Sequence, residues 1–187
     1  NKLQVAAYKA AAGDKPELVS GSFADFIVSR LDFKESRYKT AEAEVKKLKT
    51  QYKIPDSPYS CVVFRAMVQD ATGDTEYREV QAKWKRVDAF IAAAKPTMPY
   101  LTMGLFCHEA GAKDKAIVAI RKEKSAIAKI DLLINIEAWK EAVEESYLYE
   151  RRDPEQTEDY LRDILNKTGG PGGLGDKFIR ECKPRKR

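Results

Sequence analysis

The stretch KDKAIVAIRKEKSAIAKIDLLINI, residues 113–136, decides how this chain folds. In Lys113 to Lys124, the apolar residues Ala116, Ile117 and Ile120 recur at three- and four-residue spacing. Ile127, Ile130, Leu133 and Ile134 do the same in Ser125 to Ile136. That is the period of a helix with one buried face, not the period of two that a half-buried strand needs. Two short helices in succession form a hairpin, and the two apolar stripes are expected to face one another.

The same pattern continues in both directions. Downstream, Glu137 to Glu150 and Pro154 to Lys167 form a further pair, with Asp153 as the cap of the second helix and Pro154 at its first turn. Residues 168–175 hold five glycines and one proline and read as a flexible loop before a short helix near Asp176 to Cys182. Upstream, Tyr100 to Glu109 is nearly continuously apolar and suits an inner helix. A long helix from about Thr75 to Ala94 carries Tyr77, Val80, Trp84, Val87, Phe90 and Ile91 on one side, with Trp84 expected in the core. Pro58 suits the first turn of a helix whose stripe is Tyr59, Val62, Val63, Ala66 and Met67. Ser36 is expected to cap a helix bearing Tyr38, Ala41, Val45, Leu48 and Tyr52, which ends at Ile54-Pro55. Ser22 caps one bearing Phe23, Phe26, Ile27 and Leu31, and Lys2 to Ala12 is helical before Gly13.

About ten short helices with brief connections give an all-α fold, an α-solenoid of antiparallel hairpins over residues 1–167, because each hairpin buries its stripe only against its neighbours. The ~34-residue period of tetratricopeptide repeats is not kept, which disfavours them and ankyrin repeats.

The chain of 187 residues is 43% hydrophobic and 34% charged, as in a protein of many amphipathic elements. Its net charge of +5 suggests a nucleic-acid partner until the charge is located. Without Lys183, Arg185, Lys186 and Arg187, the 34 basic residues fall to 30 against 29 acidic ones, so the body is nearly neutral and the basicity belongs to the tail. No apolar run approaches the ~20 residues of a membrane span, and the start lacks a secretory leader, which reads as an intracellular protein. Asn1 already lies inside a helical pattern, as expected of a piece excised from a larger protein. Cys61, Cys107 and Cys182 form no paired framework and are expected as thiols, the first two in helix cores.

Catalytic chemistry is not evident. His108-Glu109 begins like a zinc-protease motif, but Ala112 stands where the second histidine belongs. Residues 170–177 hold glycines without the order or preceding strand of a phosphate loop. Glu141, Glu144, Glu145 and Glu150 read as a solvated helix face beside Lys140 and Arg151. Neither a cofactor nor a metal is expected, and the chain reads as a non-enzyme.

An ordered series of landmarks is more specific. Lys53-Ile54-Pro55-Asp56 leads into an apolar helix. It is followed by Trp84-Lys85-Arg86-Val87-Asp88-Ala89-Phe90, Lys95-Pro96, Pro99-Tyr100-Leu101, Cys107 and Lys113-Asp114-Lys115-Ala116. Over roughly Phe23 to Glu150 this resembles the C-terminal region of the vacuolar protein sorting-associated protein 16 family, subunits of the HOPS and CORVET endolysosomal tethering complexes. The resemblance implies an α-solenoid without catalytic activity, peripheral on late endosomes, lysosomes or vacuoles. It would support vesicle tethering and protein sorting by binding an SM-family SNARE chaperone, vacuolar protein sorting-associated protein 33, alongside the other complex subunits.

The implied partner-binding helices lie in residues 1–68, with contacts at Lys53, Asp56, Ser57, Pro58 and Tyr59; residues 69–82 read as an insertion. Family members often carry basic and Trp residues where this chain has Pro58, Ser60 and Cys61. The related alternative is the spermatogenesis-defective-39 homologue, an SM-binding trafficking subunit. A helical nucleic-acid-binding scaffold is the alternative from another class, favoured only by the tail.

Overall fold

The computed structural model of the chain describes residues 27–28, 30–73, 76–93, 96–150, 154–173 and 176. The expected helix at Lys2 to Ala12, the Ser22 and Asp153 caps, Cys182 and most of the final short helix lie outside them. Every regular element among the described residues is an α-helix: α1 Glu35–Gln51, α2 Asp56–Gly73, α3 Tyr77–Ile91, α4 Tyr100–Glu109, α5 Lys113–Arg121, α6 Ala126–Asn135, α7 Trp139–Glu150 and α8 Pro154–Lys167. They fall into two compact units that divide between Met98 and Pro99.

In the first unit α3 is the shared partner, packing extensively on α2 and less on α1. The expected α1 stripe is present, with Ala41 and Val45 buried and Tyr38, Leu48 and Tyr52 half-buried. Its start differs from expectation. Ser36 is the second helical residue; the Asp32 carboxylate accepts from the Lys34 amide (3.0 Å) just ahead of the helix. Pro58 is the third residue of α2, where its missing N–H has no helical acceptor to lose. Phe64 of α2 is fully buried and meets Phe90 of α3 at 5.0 Å between ring centroids, a burial that stabilises by about 1.5–3 kcal/mol.

Helix α3 departs from its expected stripe. Val87 and Ile91 are buried, but Trp84 is only half-buried and Tyr77 is 73% exposed. Lys83 is buried in place of Trp84, its ammonium 2.6 Å from the Asp70 carboxylate of α2. The lysine stem fills apolar space while its charge meets a carboxylate, a combination that a stripe of apolar letters does not reveal.

In the second unit the helices pack in chain order: α4 on α5, α6 on α7, and α7 on α8, with lighter contact of α6 on α4 and α5. The main partner of α5 is therefore α4, not α6 as the facing stripes suggested. Helix α4 is not wholly inner either. Met103, Gly104 and Cys107 are buried, whereas Leu105 is exposed.

Helix ends repeat one device. In α4, the Ala112 amide donates to the Cys107 carbonyl (2.8 Å) and the Gly111 amide to His108 (2.9 Å), with Gly111 at φ 82°. The ends of α6 and α1 copy it: Ala138 to Leu133 and Glu137 to Ile134, then Ile54 to Lys49 and Lys53 to Thr50, with Glu137 at φ 57° and Lys53 at φ 50°. This is the Schellman closure, which satisfies carbonyls that the helix leaves orphaned. Glycine adopts its left-handed residue freely, while Glu137 and Lys53 do so at a steric cost.

The first two of these ends belong to a longer correspondence. Gly111 and Glu137 lie twenty-six positions apart, as do Ala112 and Ala138, Ala116 and Ala142, and Cys107 and Leu133. Ala116, Ala142, Cys107 and Leu133 are all fully buried. The hairpins α4–α5 and α6–α7 therefore share one frame.

Candidate functional site

The residues implied as partner contacts gather at the α1–α2 corner, and the corner is built from the end of α1. Closing α1 requires a left-handed residue, which is Lys53. The next residue, Ile54, is buried, and Pro55 separates it from the start of α2. Lys53, Asp56 and Ser57 are exposed on this turn and Pro58 is half-buried. Tyr59 is different: it is 8% exposed, part of the core rather than of the surface.

Beneath the turn lies a layer of charged and aromatic groups. The Lys49 ammonium pairs with the Asp56 carboxylate and stands 5.3 Å from the Tyr59 ring centroid. This attraction between a cation and an aromatic face links the last turn of α1 to the first turn of α2. Arg86 of α3 lies 4.3 Å from the Tyr38 ring centroid and donates to the Phe33 carbonyl at 2.5 Å, tying the segment before α1 to α3. Phe33 stacks on Tyr38 at 6.0 Å.

Burial pushes the Tyr38 phenol up to about 12; the Glu42 carboxylate adds to the rise and Arg86 opposes it. Burial, and then Glu42, also raise the Tyr59 phenol. The Cys61 thiol is raised by burial, with a hydrogen bond from Ser57 opposing. Cys61 is half-buried rather than in the helix core as expected, whereas Cys107 is fully buried. Burial thus disfavours the ionised forms of both phenols and of this thiol.

The histidine and glycine motifs take ordinary places. His108 is exposed in the last turn of α4. Among the described residues no group of three or more His, Cys, Asp or Glu is placed to hold a metal ion. No helix among them is long and apolar enough to cross a membrane. The glycine segment is a structured turn as far as residue 173: the Gly170 amide donates to Leu165 (2.7 Å) and the Gly172 amide to the Asp176 carboxylate (3.2 Å).

The reading of the α7 carboxylates as a solvated face needs correction. Glu145 is buried and accepts from Lys129 of α6 at 2.7 Å, and Glu144 pairs with Arg121 of α5 at 2.8 Å. Helical spacing shows which residues share a face but not that a neighbouring helix brings a cation to it. No protein-family model matches this chain, and no curated protein or solved structure matches it.

Proposed function

We propose that this chain is a non-enzymatic α-solenoid scaffold of an endolysosomal tethering complex, of the vacuolar protein sorting-associated protein 16 type, that binds an SM-family protein through the α1–α2 corner. The observation that carries the solenoid part is the shared frame of α4–α5 and α6–α7, since stacked units of one register are how such folds extend. The ordered landmarks from Lys53 to Ala116 carry the family part. Lys53, Asp56 and Ser57 supply exposed polar contacts, with Tyr59 as the buried support beneath them. Association with late endosomes, lysosomes or vacuoles follows through the complex rather than through a membrane span of its own.

The test is capture of purified SM-family proteins, vacuolar protein sorting-associated protein 33 first, by the whole chain. Capture should fall at least tenfold with Ser57→Glu, an exposed change that suits the acidic preference of a helix N-terminus and so leaves α2 folded. Failure of the folded wild-type chain to bind any SM protein would refute the reading. Deleting residues 1–68 would be a poor test, because the cut falls inside α2 and removes most of its buried side chains.

A further inference from the structure

Helix α6 has two candidate partners within its own unit. Helices α5 and α7 occupy equivalent places in one frame, and each is a short link away: residues 122–125 join α5 to α6, and residues 136–138 join α6 to α7. Ala116, Ile117 and Ile120 also give α5 the apolar face that a hairpin with α6 needs. Both hairpins are local in the chain, so the cost of closing a loop does not decide between them. Yet α6 packs extensively on α7 and only lightly on α5.

The shared frame shows what the wrong choice would bring together. With α5 in the place of α7, Ala119 would stand where Glu145 stands, and Ile120 where Ser146 stands. The half-buried Lys129 would lose the carboxylate to which it donates at 2.7 Å, and Ile130 would face a second isoleucine instead of a serine. The acids around α5 offer no substitute. Asp114 is exposed and more than one turn from position 119, and the Glu123 carboxylate accepts from the Lys124 and Ser125 amides at 2.8 and 3.3 Å. An apolar misfit relaxes through rotamers and small helix shifts, whereas an ammonium drawn from water without a carboxylate stays costly. We infer that the Lys129–Glu145 pair is a partner selector: it commits α6 to α7 and refuses α5, which the frame and the short link otherwise admit. The inference rests on the frame alone and stands whether or not the chain binds an SM protein.

The experiment follows refolding of the whole chain in a Trp84→Phe background, where Trp139, the half-buried first residue of α7, is the one tryptophan left. An unfolding pulse of about 1 s is too short for prolines to isomerise, which takes about 10–100 s, so a slow phase comes from folding itself. Lys129→Met/Glu145→Ala should keep near-wild-type equilibrium stability but refold with a slow phase whose amplitude is roughly tenfold larger or more, because chains that pair α6 with α5 must release it before α7 docks. The reversed pair, Lys129→Glu/Glu145→Lys, should refold with wild-type kinetics. Lys129→Gln/Glu145→Gln nearly keeps the shapes, drops the charges and supplies the same test where the first variant does not fold. Three results would each overturn the inference: a charge-free variant that refolds like wild type, a reversed pair as slow as the charge-free ones, or a slow phase that grows with protein concentration and so reports association.

Discussion

The hairpins α4–α5 and α6–α7 share a backbone frame and fill it with opposite choices. Where the first places Gly104 against Ile120, the second places Ile130 and Ser146 at the corresponding positions, all four buried. Large and small have changed sides, so one register accommodates similar volume in two ways. Where the first has buried Met103 and Ala119, the second has the Lys129–Glu145 ion pair. A common frame therefore needs a small alanine where its helices meet, at Ala116 and Ala142, and a left-handed turn. The remaining interior is open to any pair that fills the space and satisfies its own charge.

The sharpest way to break the comparison is to remove one member of the ion pair. Glu145→Ala should cost about 1–3 kcal/mol in denaturant unfolding, because it leaves the half-buried Lys129 ammonium without its counter-charge. Copying the first hairpin with Lys129→Met/Glu145→Ala should recover most of that loss, to within about 1 kcal/mol of wild type or above it. A double variant as unstable as Glu145→Ala would show that the two interiors are not interchangeable.

The volume exchange comes next. A Cβ at Gly104 would stand 2.6 Å from Ile120 Cγ1, so Gly104→Ala should cost about 1–3 kcal/mol, with part recovered by adding Ile120→Val. Additive losses would refute the exchange. Smaller effects are expected at the turns: Glu137→Gly should stabilise and Gly111→Ala destabilise, each by about 0.5–1 kcal/mol in the same assay, the sign following which residue is left-handed.

The smallest effect separates the two units by titration. Tyr38 favours its neutral form when folded, so its contribution is intact below the ordinary phenol value of 10 and is lost as pH rises through about 12. An absorbance titration should show a late-ionising fraction, of which Tyr38 is the last member and Tyr59 another, that shrinks in Tyr38→Phe, with the alkaline loss of stability confined to the unit of α1–α3. A Tyr38 that ionises with the exposed tyrosines would refute the assignment.

Much of this was legible in the sequence, for a physical reason. Helix positions follow from apolar spacing and from proline and glycine punctuation, all local signals, so α1 to α8 fall close to their expected bounds. Partner choice was not legible. Ala116, Ile117 and Ile120 define a face of α5, but only tertiary packing sets that face mainly on α4 rather than on α6. Lys83 and Glu145 look like surface letters and are buried because each meets an opposite charge from another helix, Asp70 and the half-buried Lys129. The shared frame is not legible in residue identity, because the overlaid segments keep few identical residues, chiefly Ala112 with Ala138 and Ala116 with Ala142. It is carried by the spacing of the helix ends instead. At the candidate site, the exposure of Lys53, Asp56 and Ser57 follows from their place beside Pro55 and the burial of Tyr59 from its place in the α2 stripe, whereas the Lys49 and Glu42 side chains that stand beside Tyr59 are brought there from α1.

The left-handed turn at Glu137 does more than end α6. Its carbonyl accepts from the Lys113 ammonium at 2.7 Å, so the first residue of α5 holds the turn inside the next hairpin. Arg121 at the other end of α5 grips Glu144 of α7. Both ends of α5 are thus tied to its successor, so opening one hairpin removes contacts from the next. Hydrogen exchange across residues 100–150 should accordingly report a single cooperative block rather than two that open independently.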